Sequence, residues 1–126
     1  MSRERYAYLG PEGTFTDAAL RAMTRGRDIE AIPVVDVPAA LTAVRTGEAD
    51  YAVVAIENTV EGGVTATLDT LAEGAPLMIV EEIVVPVAFE LVAREPMTLR
   101  EVARISAHSH GLAQCRRWIA ANLGEV

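Results

Sequence analysis

The chain has 126 residues, enough for one domain with a real core and too few for two large ones. Half of it is apolar (51%), and 18 acidic against 11 basic side chains leave a net charge of −7, which excludes a broad basic face for nucleic acid. The basic residues are all arginine, which excludes a Schiff-base or P-loop lysine, and the single Cys115 excludes a disulfide framework or a multi-cysteine zinc site.

Tyr6–Leu9 is a short apolar run stopped by Gly10-Pro11, and it reads as a first buried strand. Thr14 and Asp17 have capping-box spacing and predict a helix from Thr14 as N-cap to about Thr24, ended by Gly26. Ile29–Val35 reads as the second strand. Asp36 then caps a helix with Pro38 in its first turn, running to Thr46 and closed by Gly47. Tyr51–Ile56 is apolar throughout, as expected of a parallel strand covered on both faces. Val64–Ala72 continues as a helix with Leu68, Leu71 and Ala72 in an apolar stripe. This β-α-β-α-β-α order predicts a parallel sheet with right-handed crossovers.

After this the pattern changes. Pro76–Ala93 is rich in Val and Ile but interrupted by Glu81, Glu82, Pro86 and Glu90, and it reads as two extended segments with a crossover between lobes near Val85-Pro86. Thr98 and Glu101 repeat the capping-box spacing and start a short helix. Ile105–Ala107 is expected as a strand, and His110–Leu123 as a final helix with Cys115, Trp118 and Ile119 facing inward. No apolar run approaches the length of a membrane span, and Met-Ser-Arg-Glu-Arg lacks the pattern of a signal peptide. A soluble cytoplasmic protein is therefore expected, with neither membrane nor nucleic acid as partner.

Two motifs leave strands and lead into helices, which in open α/β sheets is where ligands bind. In Gly10-Pro11-Glu12-Gly13-Thr14-Phe15-Thr16 the glycines let the backbone turn sharply, and helix-start N–H groups with the Thr14 and Thr16 hydroxyls can form an anion pocket. An ordinary capped βα turn has the same spacing. The second motif, Ile56-Glu57-Asn58-Thr59-Val60-Glu61-Gly62-Gly63-Val64, puts a carboxyl and an amide at the sheet's carboxyl edge. Burial there would raise the Glu57 pKa and suit it to proton donation, whereas hydrogen bonds would hold it ionised. Asn58 can donate and accept at once; alternatively, the pair only fixes the loop. A third segment, from Ala107 to Cys115, holds both histidines, His108 and His110, and places Gln114 one turn into the last helix. The histidines have the spacing of a metal pair, but no third ligand accompanies them and no metal site is expected.

Together, in this order, the three segments resemble the prephenate dehydratase family. The marks are Gly10–Thr16, the stretch Gly47-x-Ala49-Asp50 running on to Ile56-Glu57-Asn58-Thr59 and Gly62, and His108 followed by Gln114-Cys115. The likeness extends from Tyr6 to Leu123. It implies an α/β, two-lobed fold resembling the type II periplasmic binding proteins, with a mostly parallel sheet in lobe one. Residues 1–80 would form the first lobe and 81–126 an incomplete second. It also implies a cofactor-free carbon–oxygen lyase of phenylalanine biosynthesis, converting prephenate to phenylpyruvate, CO2 and water. On that mapping Glu57, Asn58 and Gln114 are catalytic, and Gly13, Thr14, Phe15, Thr59, Gly62 and His108 bind substrate.

The sequence departs from the family pattern at three places. Ala107 stands where a serine is common, a Thr-Arg-Phe motif is missing, and so is the small ACT domain that usually follows. The resemblance therefore implies an amino-terminal part of the dehydratase domain, inactive alone. An open lobe would expose a sheet edge and apolar surface, so a homo-oligomer, dimeric or swapped, is expected. The alternatives are arogenate as substrate, or a non-catalytic small-carboxylate binding module of the periplasmic-binding type.

Overall fold

The computed structural model describes residues 2–60, 62–124 and 126, and it divides into two compact units, 1–86 and 87–126. The first unit is built on three parallel strands, β1 (Glu4–Leu9), β2 (Ile29–Val34) and β3 (Tyr51–Val53), in the order β2-β1-β3. β1 is central. Tyr6 lies opposite Ala31 on one side and Tyr51 on the other.

The alternation of β1 assigns the two faces of the sheet. Tyr6 and Tyr8 point to one face and pack with Ala19 and Leu20 of α1 (Phe15–Met23) and with Val53. Ala7 points to the other, against Ala40 and Ala43 of α2 (Val37–Arg45) and Ala49. Successive helices on opposite faces of a sheet that grows first one way and then the other give both crossovers the same hand, as the right-handed rule requires.

The two faces are packed differently. On the aromatic face the Tyr6 and Tyr51 rings stack at 4.8 Å, and the Arg27 guanidinium lies 5.7 Å above the Tyr6 ring while donating to its hydroxyl at 2.8 Å. Leu20 is fully buried there, worth about 1.5–3 kcal/mol for its side chain. The alanine face has nothing larger than a methyl group at its centre, so α2 is seated close on β1.

Local signals set the helix ends. Thr14 caps α1, its hydroxyl accepting from Asp17 N–H at 3.2 Å, and Asp36 caps α2 by accepting from Ala39 N–H at 2.7 Å. Residues 47–50 carry the chain from α2 into β3. Gly47 N–H closes α2 on the Val44 carbonyl, Ala49 N–H reaches the Ala43 carbonyl, and Asp50 forms a two-pronged ion pair with Arg5 at 2.9 and 3.3 Å. Asp50 also accepts the Arg5 backbone N–H at 2.8 Å, so its carboxylate fastens the start of β3 to β1.

Beyond Val53 the chain leaves the sheet, and the expected strand to Ile56 stops three residues early; Ile56 is exposed. Glu57–Asn58 (β4) and Gly62–Gly63 (β5) form a small antiparallel ladder that the sequence pattern did not reveal. Helix α3 (Thr65–Ala72) follows and packs against α2. Arg45, at the end of α2, donates to the carbonyls of Thr70, Glu73 and Ala75 and so closes the carboxyl end of α3.

The extended segments expected in Pro76–Ala93 and the strand at Ile105–Ala107 have no ladder partner among the described residues. An extended chain becomes a strand only when a neighbour takes its backbone groups. The second unit contains a 3-10 turn at Leu99–Glu101, with the Thr98–Glu101 capping box formed, and helix α4 (Ser109–Asn122). The buried face of α4 is centred on Gly111, against the Phe89 ring, and Trp118 is exposed rather than inward. A Cβ at Gly111 would lie 3.5 Å from the Phe89 ring, in ordinary van der Waals contact.

The alanine face supplies a direct test. Ala40→Leu adds three carbons to a fully buried position against Ala7 and should destabilise the protein by about 1–3 kcal/mol. Chemical denaturation should show a lower midpoint with an unchanged slope.

Candidate active site

β1 and β3 are adjacent and parallel, with Tyr8 opposite Val53, so the Gly10–Thr16 loop and the Ile56–Val64 segment leave the same edge of the sheet. Parallel topology brings the first two motifs together in this way. Each is held by its own hydrogen bonds.

In the first loop Gly10 allows a close approach. Its N–H donates to the Val34 carbonyl at 3.0 Å, and a Cβ at this position would lie 2.7 Å from Cβ of Pro33. Gly13 turns with φ +89°, in the left-handed region that favours glycine. Its N–H donates to the Asp17 carboxylate at 2.9 Å. The capping box thus differs from the expected one: Asp17 reaches back to Gly13, while the Thr14 hydroxyl accepts from Asp17 N–H and donates to the Leu9 carbonyl at 3.1 Å. Two donors expected to face an anion are therefore engaged inside the loop.

Asp17 is buried, and its carboxyl is held below the usual aspartate range, first by the Gly13 N–H and then by Arg21, which lies 3.1 Å from both of its oxygens. Arg21 also pairs with Glu12 at 2.6 Å. Arg21 is thereby committed to two acids. Burial, with Asp17 and Glu12 close by, pushes the Tyr8 hydroxyl up.

In the second motif Glu57 is exposed, so the expectation of a buried carboxyl is corrected. The chain leaves the sheet before it reaches this residue, which pairs with Gly63 of β5. Asn58 is half-buried and its side-chain oxygen accepts from Val60 N–H at 2.9 Å, an Asx turn that shapes the loop. Thr59 is exposed and Gly62 pairs with Asn58 across the ladder. Glu61 lies outside the described residues. No sequence signal pointed to Thr67, which is fully buried and donates to the Ala55 carbonyl at 2.6 Å.

The third motif lies in the second unit. His108 is the N-cap of α4, and its Nδ1 accepts from His110 N–H at 3.2 Å. The two imidazoles meet edge to face at 5.0 Å. Gln114 and Cys115 are half-buried, one turn past Gly111. No group of three His, Cys, Asp or Glu suited to a metal ion occurs among the described residues. No helix among them is long and apolar enough to cross a membrane.

The fold is thus an α/β lobe whose polar motifs gather at the carboxyl edge of a parallel sheet, the usual place for small-molecule chemistry in such sheets. The prephenate dehydratase family model matches residues 6–126, and the chain belongs to that family. The prephenate dehydratase of Mycobacterium leprae (strain TN) is 46% identical, over 98% of this chain and 41% of the relative. That of Amycolatopsis methanolica is 47% identical, over 94% and 38% respectively. Among solved structures, the Arthrobacter aurescens prephenate dehydratase in complex with L-Phe is 52% identical with a TM-score of 0.78, over 94% of this chain and 39% of that one. The Streptococcus mutans enzyme is 29% identical with a TM-score of 0.54, over 57% and 37%. The fold class is therefore the expected α/β, type II periplasmic-binding-like one. The chain spans about 40% of the length of the relatives it matches.

Asp17 supplies the pH prediction. A carboxyl lowered on folding stabilises the folded state above its unfolded value, about 3.9, and loses that contribution as pH falls through the lower folded value. Asp17→Asn should be less stable at pH 7 and show a shallower loss of thermal stability between about pH 5 and 2. The slope that remains belongs to carboxyls such as Asp50, lowered first by the Arg5 side chain, and Glu101, lowered first by Thr98 N–H.

Proposed function

We propose that this chain is the amino-terminal part of a prephenate dehydratase and carries one side of its active site. The observation that supports this most is the family match over residues 6–126, combined with the exit of the first two motifs at one sheet edge. The reaction converts prephenate to phenylpyruvate. The ring hydroxyl departs as water after gaining a proton, the ring carboxylate leaves as CO2, and the electron pair of the broken C–C bond completes the aromatic ring. Aromatisation drives the step, so the protein has to supply a proton, hold the carboxylates and exclude water.

In this reading Glu57, Asn58 and Gln114 are the working side chains. Glu57 is the ionisable one, and a positioned acid is worth about 10² to 10⁴ in rate. Asn58 and Gln114 supply amide donors, while Gly13, Thr14, Phe15, Thr59, Gly62 and His108 line the substrate. The engaged state of Gly13 and Thr14 supports a share for them in holding the loop's shape against the ligand. The first lobe covers residues 1–80 and the second begins at 81. The enzyme is cytoplasmic, needs no cofactor and acts in phenylalanine biosynthesis. The exposed apolar side chains of Met78, Ile79, Val80, Val84 and Val92 support self-association of the isolated chain as a dimer or swapped assembly. Light scattering at high concentration checks this, and a monodisperse monomer would refute it.

The decisive assay follows phenylpyruvate from prephenate with the 126-residue chain, with a form extended to the length of its relatives, and with Glu57→Gln in each. We expect turnover in the extended form, lowered about 10² to 10⁴ in kcat by Glu57→Gln, and little in the short chain. Turnover in neither, together with specific binding of another small carboxylate, would favour the non-catalytic binding module. Preference for arogenate over prephenate would reassign the substrate.

A further inference from the structure

We propose that Thr67 is the positioning residue for the Glu57–Asn58 turn; its functional weight rests on the reading of those two residues given above. Three polar side chains are buried among the described residues: Asp17, Thr24 and Thr67. Asp17 belongs to the first loop, and the Thr24 hydroxyl turns back to the Leu20 carbonyl of its own helix at 2.8 Å. Thr67 instead reaches out of α3 to the Ala55 carbonyl, twelve residues back, at 2.6 Å and with no exposed surface.

The neighbouring carbonyl is held from the same place. Val64, the N-cap of α3, donates its N–H to Ile56 at 2.9 Å. The start of one helix thus takes the two successive carbonyls that precede Glu57. Peptide planes are rigid, so fixing both carbonyls fixes the direction in which the chain enters Glu57. The β4–β5 ladder, Glu57 opposite Gly63 and Asn58 opposite Gly62, then continues from that direction. An exposed carboxyl on a short ladder has few side-chain contacts to aim it, which leaves its backbone as the means of orientation. The hydrogen bond Thr67 makes is to backbone, so it acts on Glu57 and Asn58 through the chain that leads into them.

The test is residue-resolved amide exchange on the 126-residue chain, comparing Thr67→Val and Thr67→Ser with the parent. Valine keeps the shape and removes the donor, whereas serine keeps the donor. In Thr67→Val the Val64 and Val60 amides, bonded to Ile56 and to the Asn58 side chain, should exchange about tenfold faster or more. The Gly10 and Asp50 amides, bonded to Val34 and Arg5 within the sheet, should keep their protection. Thr67→Ser should restore the parent pattern at all four. Uniform acceleration at all four amides would make Thr67 a general packing residue and overturn the proposal, as would unchanged exchange in Thr67→Val. Thr67→Ala removes the same hydroxyl and replaces Thr67→Val if that variant does not fold. The readout needs no substrate. If Glu57→Gln leaves turnover intact while Thr67→Val loosens the turn, the proposed function fails and the positioning role stands.

Discussion

The first unit depends on one constraint: β1 is flanked on both sides by parallel strands and covered on both faces. Its side chains therefore must satisfy two different helices at once. Tyrosine at positions 6 and 8 fills a deep layer beneath α1, and alanine at position 7 makes a thin one beneath α2. Because β1 is central, an error in its register would move both layers together. The Arg5–Asp50 clamp and the close seating of Gly10 on Pro33 fix that register from opposite ends of the strand. The carboxyl edge inherits its geometry from this arrangement.

What was legible in the sequence was local. The apolar run at Tyr6–Leu9, stopped by Gly10-Pro11, and the caps at Thr14 and Asp36 are written within a few residues, and the first strand and the first two helices followed from them. That Glu57 lies past the carboxyl end of the third strand was also legible, although the strand ends at Val53 and Glu57 falls on a separate ladder. Its exposure was not. Val53–Ile56 is a continuous apolar run, and nothing in it says that the carbonyls of Ala55 and Ile56 will be taken by α3 and not by another strand. The same reasoning covers Ile105–Ala107, whose composition suits a strand but whose pairing depends on chain far away. Trp118 was misjudged for a related reason, since helical spacing gives a face but not the neighbour that covers it.

The family motifs divide into two kinds when seen in three dimensions. Gly47, Ala49 and Asp50 build the joint that delivers β3, and Asp17 with Gly13 and Thr14 builds the turn that follows β1. These residues hold backbone in place. Glu57 is exposed, Gln114 is half-buried, and Asn58 also holds backbone, its side-chain oxygen accepting from Val60 N–H. Much of what makes the pattern recognisable is thus framework, and this is why that part of it could be derived from physical chemistry.

The interruptions in the Val- and Ile-rich stretch after Pro76 have a consequence of their own. Segments of six or seven uncharged β-formers without proline stack into cross-β fibrils when they lie open. Here Pro76, the Glu81-Glu82 pair, Pro86 and Glu90 divide the stretch so that its longest unbroken apolar run is Leu77–Val80, only four residues. Many of these side chains are exposed, yet each short run ends at a charge or at a residue with no N–H to share. The same residues that blurred the reading of the secondary structure act as gatekeepers, so a sticky segment can stay open without seeding a fibril.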